Sequence, residues 1–158
     1  MYRRIIVPID GSETSNKALV AALRLAKESQ GRIRLLHVVE ELAYLTGYDQ
    51  FGGYSGDLIK IMRETGNKVL ADGTAIAQSA GVECESTLYD NFGERLPEVV
   101  ADDARRWNAD LIVVGTHGRR GVGRILLGSG AEQVIRMAPV PVLVIRSEEA
   151  ATPAKTGS

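Results

Sequence analysis

The chain has 158 residues, 44% hydrophobic and 25% charged, with a formal net charge of −1. That length fits one domain able to bury a core without disulfides or a structural metal, and the near-neutral balance excludes a global electrostatic footprint for nucleic acid or an anionic membrane. Cys84, the single cysteine, has no internal partner for a bridge; it reads as a small buried hydrophobe in a strand and permits a reducing compartment.

The opening "MYRRIIVPIDGS" contains a first apolar run, Ile5 to Ile9. The run predicts a strand and is too short for a signal-peptide core or a bilayer span. No other segment approaches the roughly 18 apolar residues of a membrane helix, so the expectation is a soluble, cytoplasmic protein without membrane or nucleic-acid partners. Ala18, Leu19, Ala22, Leu23 and Ala26 then recur at helical spacing. Ile33 to Val39 predict the second strand, in which His37 reads as a satisfied, half-buried residue. Residues 40 to 56, "EELAYLTGYDQFGGYSG", carry no helix or strand signal and read as a long loop at the carboxyl edge of the sheet. Leu58, Met62, Val69 and Ile76 mark a second helix, and "VECESTLY" from Val82 a third strand. Leu96, Val99, Val100, Ala104 and Trp107 mark a third helix, followed by a fourth strand over Leu111 to Val114. Ala131, Val134, Ile135 and Ala138 mark the last helix, and "VPVLVI" from Val140 the fifth strand. From Ser147 the residues are small and polar, so a globular unit over 1–146 and a disordered tail over 147–158 are expected.

Strands alternating with helices predict an α/β fold, a single doubly wound domain with a parallel sheet and helices on both faces. Of the two common five-strand orders, 2-1-3-4-5 and 3-2-1-4-5, the second is favoured. The third strand alternates Glu83 and Glu85 with Val82, Cys84 and Leu88, as a half-solvated edge does, whereas strands 1 and 4 are apolar on both faces. The switch point then lies between strands 1 and 4, with a ligand crevice at their carboxyl ends.

Those ends are "PIDGS" and "GTHGRRG". The stretch from Gly115 to Gly130, "GTHGRRGVGRILLGSG", holds six glycines and three arginines. Several glycines in one loop let backbone N–H groups converge on an anion, and the helix after Gly128 adds donors and a positive dipole end. Ser129, with Glu132 three residues on, has two competing roles, capping this helix or donating to phosphate. Asp10 with Glu13 reads equally as a helix cap. The P-loop lysine is missing after Gly123-x-x-x-x-Gly128, and the first strand-to-helix turn lacks Gly-x-Gly-x-x-Gly, so neither usual phosphate signature is present. Arg119, Arg120 and Arg124 are candidates to screen phosphate charge. His117 reads as a solvated side chain, since no second histidine or cysteine is placed to orient it as a base.

These residues resemble the universal stress protein family, in its ATP-binding branch. The resemblance runs from "RIIVPIDGSETS" through "IRLLHVVE" to "ADLIVVGTHGRRGVGRILLGSGAEQVIRMAPVPVLVIR", and the family's Gly-x2-Gly-x9-Gly-Ser signature is matched at Gly115, Gly118, Gly128 and Ser129. It implies that Pro8, Ile9 and Asp10 lie against the nucleoside and that backbone near Val39 meets the adenine. It further implies that Gly115, Thr116, Gly118 and Arg119 flank ribose and phosphates, while Gly128, Ser129 and Gly130 hold the triphosphate of ATP, with Mg2+ or Mn2+ on its oxygens. Gly130 departs from the pattern, standing where many members have an apolar residue. The uncharged fifth strand, Val140 to Ile145, predicts an edge covered by its own copy, and the resemblance likewise implies a homodimer.

Three functional readings follow. The first is an ATP-binding regulatory homodimer in stress response, acting on a protein partner that the sequence does not name. The second is a slow ATPase or phosphotransferase using the same site, and the third a nucleotide-free interaction module, which predicts damaged glycines where this chain has intact ones.

Overall fold

A computed structural model of the chain describes residues 1–39, 48–49, 53–54, 56–91, 93–116 and 127–146. In chain order the elements are β1 (Arg4–Pro8), α1 (Glu13–Ser29), β2 (Arg32–Val38), β3 (Tyr48–Asp49), β4 (Gly53–Tyr54), α2 (Gly56–Ser79), β5 (Glu83–Tyr89), α3 (Leu96–Trp107), β6 (Leu111–Gly115), α4 (Ser129–Met137) and β7 (Val142–Ile145). The main sheet is parallel throughout and ordered β5-β2-β1-β6-β7, which is 3-2-1-4-5 for its five strands. The predicted loop at 40 to 56 needs one correction. Tyr48–Asp49 and Gly53–Tyr54 pair antiparallel, a ladder too short to leave a period-two signal. Gly56, at the end of that segment, already begins α2, and residues 40–47, 50–52 and 55, with the tail from Ser147, lie outside the described residues.

The strand period sorts the core into two layers. Ile5 and Val7 of β1, Ile33 and Leu35 of β2 and Leu111 and Val113 of β6 face α1 and α2. Ile6, Leu36, Ile112 and Val114, one residue out of phase, face α3 and α4. Central strands buried on both faces need continuous apolar runs, and β1 and β6 have them. The predicted face of α1 is the buried one. In α2 the expected face is displaced: Ile76 is exposed, whereas Leu70 and Ala77 are buried, and Gly66 and Gly73 are buried on the same face. A Cβ on Gly73 would lie 2.8 Å from Ile9 Cδ1 and 2.9 Å from Leu35 Cδ1, so the glycine lets the helix settle on the sheet. In α4, Ala131 and Val134 are buried as expected but Ile135 is exposed.

The α3 layer also holds a carboxylate that hydrophobic spacing did not signal. Asp103, 2% exposed, accepts two hydrogen bonds from Arg34, from Nε at 2.7 Å and from a terminal nitrogen at 3.1 Å. It accepts a third from the Tyr89 hydroxyl at 2.6 Å. Arg34 also pairs with Glu85 at 3.3 Å. Burial works against the Arg34 charge, but the hydrogen bonds and negative charge of Asp103 outweigh it and hold its pKa above the ordinary value. Burial and the bond to Asp103 push the Tyr89 hydroxyl up as well, and burial raises the Cys84 thiol. Cys84 is half-buried rather than buried, because β5 is an edge.

Candidate functional site

β1 lies between β2 and β6. The chain therefore leaves it in one direction to β2 and returns on its other side at β6, which creates the switch-point crevice at their carboxyl ends. Pro8 closes β1, half-buried, followed by buried Ile9 and half-buried Asp10. Asp10 Oδ1 accepts from the Ser12 amide at 2.9 Å, and the turn passes through Gly11 at φ 81°, a conformation that glycine adopts without a Cβ clash. Asp10 is not the helix cap, contrary to one of its two readings. Ser12 caps α1, accepting from the Ser15 amide at 3.2 Å, because the Asp10 side chain is already turned onto Ser12. The Ser15 hydroxyl fastens the turn by donating to the Ser12 carbonyl at 3.1 Å.

Across the sheet, Val39 is 2% exposed and its amide donates to the Tyr89 carbonyl at 2.8 Å. Gly115 ends β6, and its close neighbour is α1: a Cβ there would stand 2.5 Å from Thr14 Cγ2 and 3.1 Å from the Thr14 carbonyl oxygen. Thr116 is buried. Its amide donates to the Ile145 carbonyl at 2.9 Å, and its own carbonyl accepts from the Gly128 amide, so the two ends of the long glycine stretch meet. Gly118 and Arg119, with His117, Arg120 and Arg124, lie outside the described residues.

The start of α4 corrects the reading of Ser129 as a cap. Gly128 occupies the cap position, extended at φ −61° and ψ 151°, with no side-chain hydrogen bond to the helix start. Ser129 is the first helical residue and is exposed, one position past the cap that its side chain was expected to fill. The first-turn N–H groups, unsatisfied within any helix, make the end of α4 electropositive. At Gly130 a Cβ would meet, among the described residues, only Leu96 Cδ2 at 3.6 Å, an ordinary contact that does not demand glycine.

The structure thus brings Pro8, Ile9, Asp10, Val39, Gly115, Thr116, Gly128, Ser129 and Gly130 to the carboxyl edge of three adjacent strands and the start of one helix. Sequence reasoning missed Ser12 and Ser15, which the Asp-Gly-Ser turn signature could have flagged, and Thr14, whose fit against Gly115 leaves no local signal. Among the described residues, no group of three or more His, Cys, Asp or Glu side chains is placed to hold a metal ion, and no helix is long and apolar enough to cross a membrane.

Fold and edge define a doubly wound α/β protein of the class whose ligands sit outside the strand ends, against a helix start. The chain belongs to the universal stress protein family, whose model matches residues 1–146. It is 36% identical to universal stress protein YxiE of Bacillus subtilis, over 92% of this chain and all of the relative. A universal stress protein family structure from Burkholderia pseudomallei is 34% identical, with a TM-score of 0.73 over 92% of this chain and 97% of that one. The universal stress protein of Archaeoglobus fulgidus, solved in complex with dAMP, is 26% identical, with a TM-score of 0.66 over 91% and 98% of the two chains.

Proposed function

We propose that this chain is an ATP-binding regulatory protein of the stress response, holding the nucleotide across the carboxyl ends of β1, β2 and β6 and the start of α4. The observation that carries the reading is the glycine cap of α4, drawn to Thr116 by the Gly128 amide and making no side-chain cap hydrogen bond to the helix start among the described residues. A helix start capped by glycine offers its first-turn N–H groups to an anion's oxygens. The relative solved with dAMP supports an adenine nucleotide as the occupant. Mg2+ or Mn2+ rides on the phosphate oxygens. Asp10, fixed by its bond to Ser12, takes the nucleoside side, and the backbone at Val39 takes the adenine.

In this reading nucleotide binding shifts the chain between conformations that differ in affinity for a protein partner in the cytoplasm. The active form is a homodimer joined along Val140 to Ile145. Leu143 on β7, together with Ile135 and Met137 on α4, is exposed, and an uncharged apolar edge of this kind is stabilised by pairing with its own copy.

The test is to denature the purified protein gently, identify the released nucleotide by chromatography with mass detection, and follow added ATP with Mg2+ over hours. Intact ATP at near one per chain, lost in Gly118→Val, supports the reading; steady conversion to ADP makes the protein an enzyme instead. Sedimentation of the same sample as a monomer overturns the dimer.

A further inference from the structure

We propose that His37 is a positioning residue for the nucleoside end of the crevice, an inference that rests on the nucleotide reading above. The β1–β2 ladder ends at Pro8↔Leu36. One residue further, the Ile9 amide still donates to the Leu36 carbonyl at 2.8 Å. The Ile9 carbonyl instead meets a side chain, with His37 Nδ1 at 2.7 Å. A carbonyl oxygen only accepts, so Nδ1 carries the hydrogen and donates. The imidazole thereby replaces a rung of the ladder, and the backbone polar group stays satisfied while the two strands part.

The parting is visible on both sides. After Ile9 the chain leaves the sheet through the turn at Asp10, Gly11 and Ser12. β2 keeps pairing with β5 as far as Val38↔Tyr89, and the Val39 amide bonds the Tyr89 carbonyl at 2.8 Å. The gap between Asp10 and Val39, the two residues given to the nucleoside and its base, therefore has His37 at its vertex. α2 holds the ring from behind: a Cβ on Gly66 would stand 2.7 Å from His37 Cδ2 and 2.8 Å from Leu88 Cδ1. Gly66 thus leaves the room that the imidazole occupies when it reaches Ile9.

His37→Leu keeps the apolar bulk and removes the donor, and His37→Asn places an amide nitrogen near the position of Nδ1. Gly66→Ala displaces the ring without touching any residue of the crevice. AMP, ADP and ATP are titrated separately against each folded variant, at a temperature below its unfolding transition. The expected result is a loss of about tenfold for His37→Leu and Gly66→Ala, since a site is only as well ordered as the bonds behind it. The loss is equal for all three nucleotides, because His37 lies at the nucleoside end, and His37→Asn stays within about twofold of wild type because it restores the donor. Wild-type affinity in His37→Leu, a loss that grows with phosphate number, or an asparagine variant as weak as the leucine one overturns the inference and leaves the nucleotide reading standing. A wild-type protein that binds none of the three removes both. Should the leucine variant fail to fold, unchanged affinity in Gly66→Ala overturns the inference by itself.

Discussion

Adding one methyl group at Gly115 tests whether this motif glycine serves the packing of α1 or only the ligand. In Gly115→Ala the new Cβ stands 2.5 Å from Thr14 Cγ2, and reaching ordinary contact at 3.4 Å requires the pair to open by about 0.9 Å. Rotating Thr14 does not relieve this. The side chain is buried, and the Thr14 carbonyl oxygen and carbon follow at 3.1 and 3.2 Å. The first turn of α1 has to shift, taking with it the Ser12 cap and the Asp10 turn. Overpacking of this kind costs about 1–3 kcal/mol, and the reduced freedom of the unfolded chain returns about 0.4–1 kcal/mol. The net loss of about 1–2 kcal/mol lowers Tm by roughly 2 to 8 °C in a chain of this length. Differential scanning calorimetry of apo protein measures it, with nucleotide titration alongside to detect the displaced turn. An unchanged or higher Tm would refute the argument and return Gly115 to a purely ligand-facing role.

Gly130→Ala carries the opposite sign: with Leu96 Cδ2 at 3.6 Å its one near neighbour among the described residues, it gains about 0.5 kcal/mol of helix propensity, read as a slightly higher Tm. At the buried carboxylate, Arg34→Met takes the bidentate partner from Asp103, leaving it Tyr89 and the more distant Arg106 at 3.7 Å, and costs about 3 kcal/mol; Asp103→Leu leaves Arg34 its Glu85 partner and costs less, and the double variant loses less than the two single ones together. Urea denaturation of the four proteins checks this, and additive losses would contradict it. The hydroxyl of Tyr89 is pushed up by burial and by Asp103, so its proton is held more tightly folded than unfolded. Its contribution is present in full below about pH 10 and falls as pH rises through the higher folded value; urea midpoints from pH 9 upward should therefore decline less in Tyr89→Phe.

Much of the sheet was legible because its signals are local. The alternation of Glu83, Cys84 and Glu85 marks a half-solvated edge, and the unbroken runs at Ile5 and Leu111 mark strands covered twice, which together select the strand order. The face of α2 was misplaced because glycine carries no hydrophobic weight, although Gly66 and Gly73 mark its closest approach to the sheet. Asp103 was invisible because Arg34, which makes its burial tolerable, lies 69 residues away. The crevice was legible as a spacing of glycines but not as a division of labour. Gly115 fits Thr14, Gly128 caps α4 and Gly130 has room for a Cβ against Leu96, and sequence shows all three as the same residue.

The position of β1 has a consequence for biosynthesis. The first strand made is the middle one of the finished sheet, and its neighbour β6 emerges about a hundred residues later; the Arg4 amide waits across 106 positions for Asp110. At translation rates of about 5–20 residues per second that interval is roughly 5–20 s. Once β2 at Arg32–Val38 has followed, the run Ile5-Ile6-Val7 has a strand on one side and an open edge on the other for the rest of that interval. A nascent chain so exposed is most open to pairing with a neighbouring copy before the ribosome has delivered Leu111.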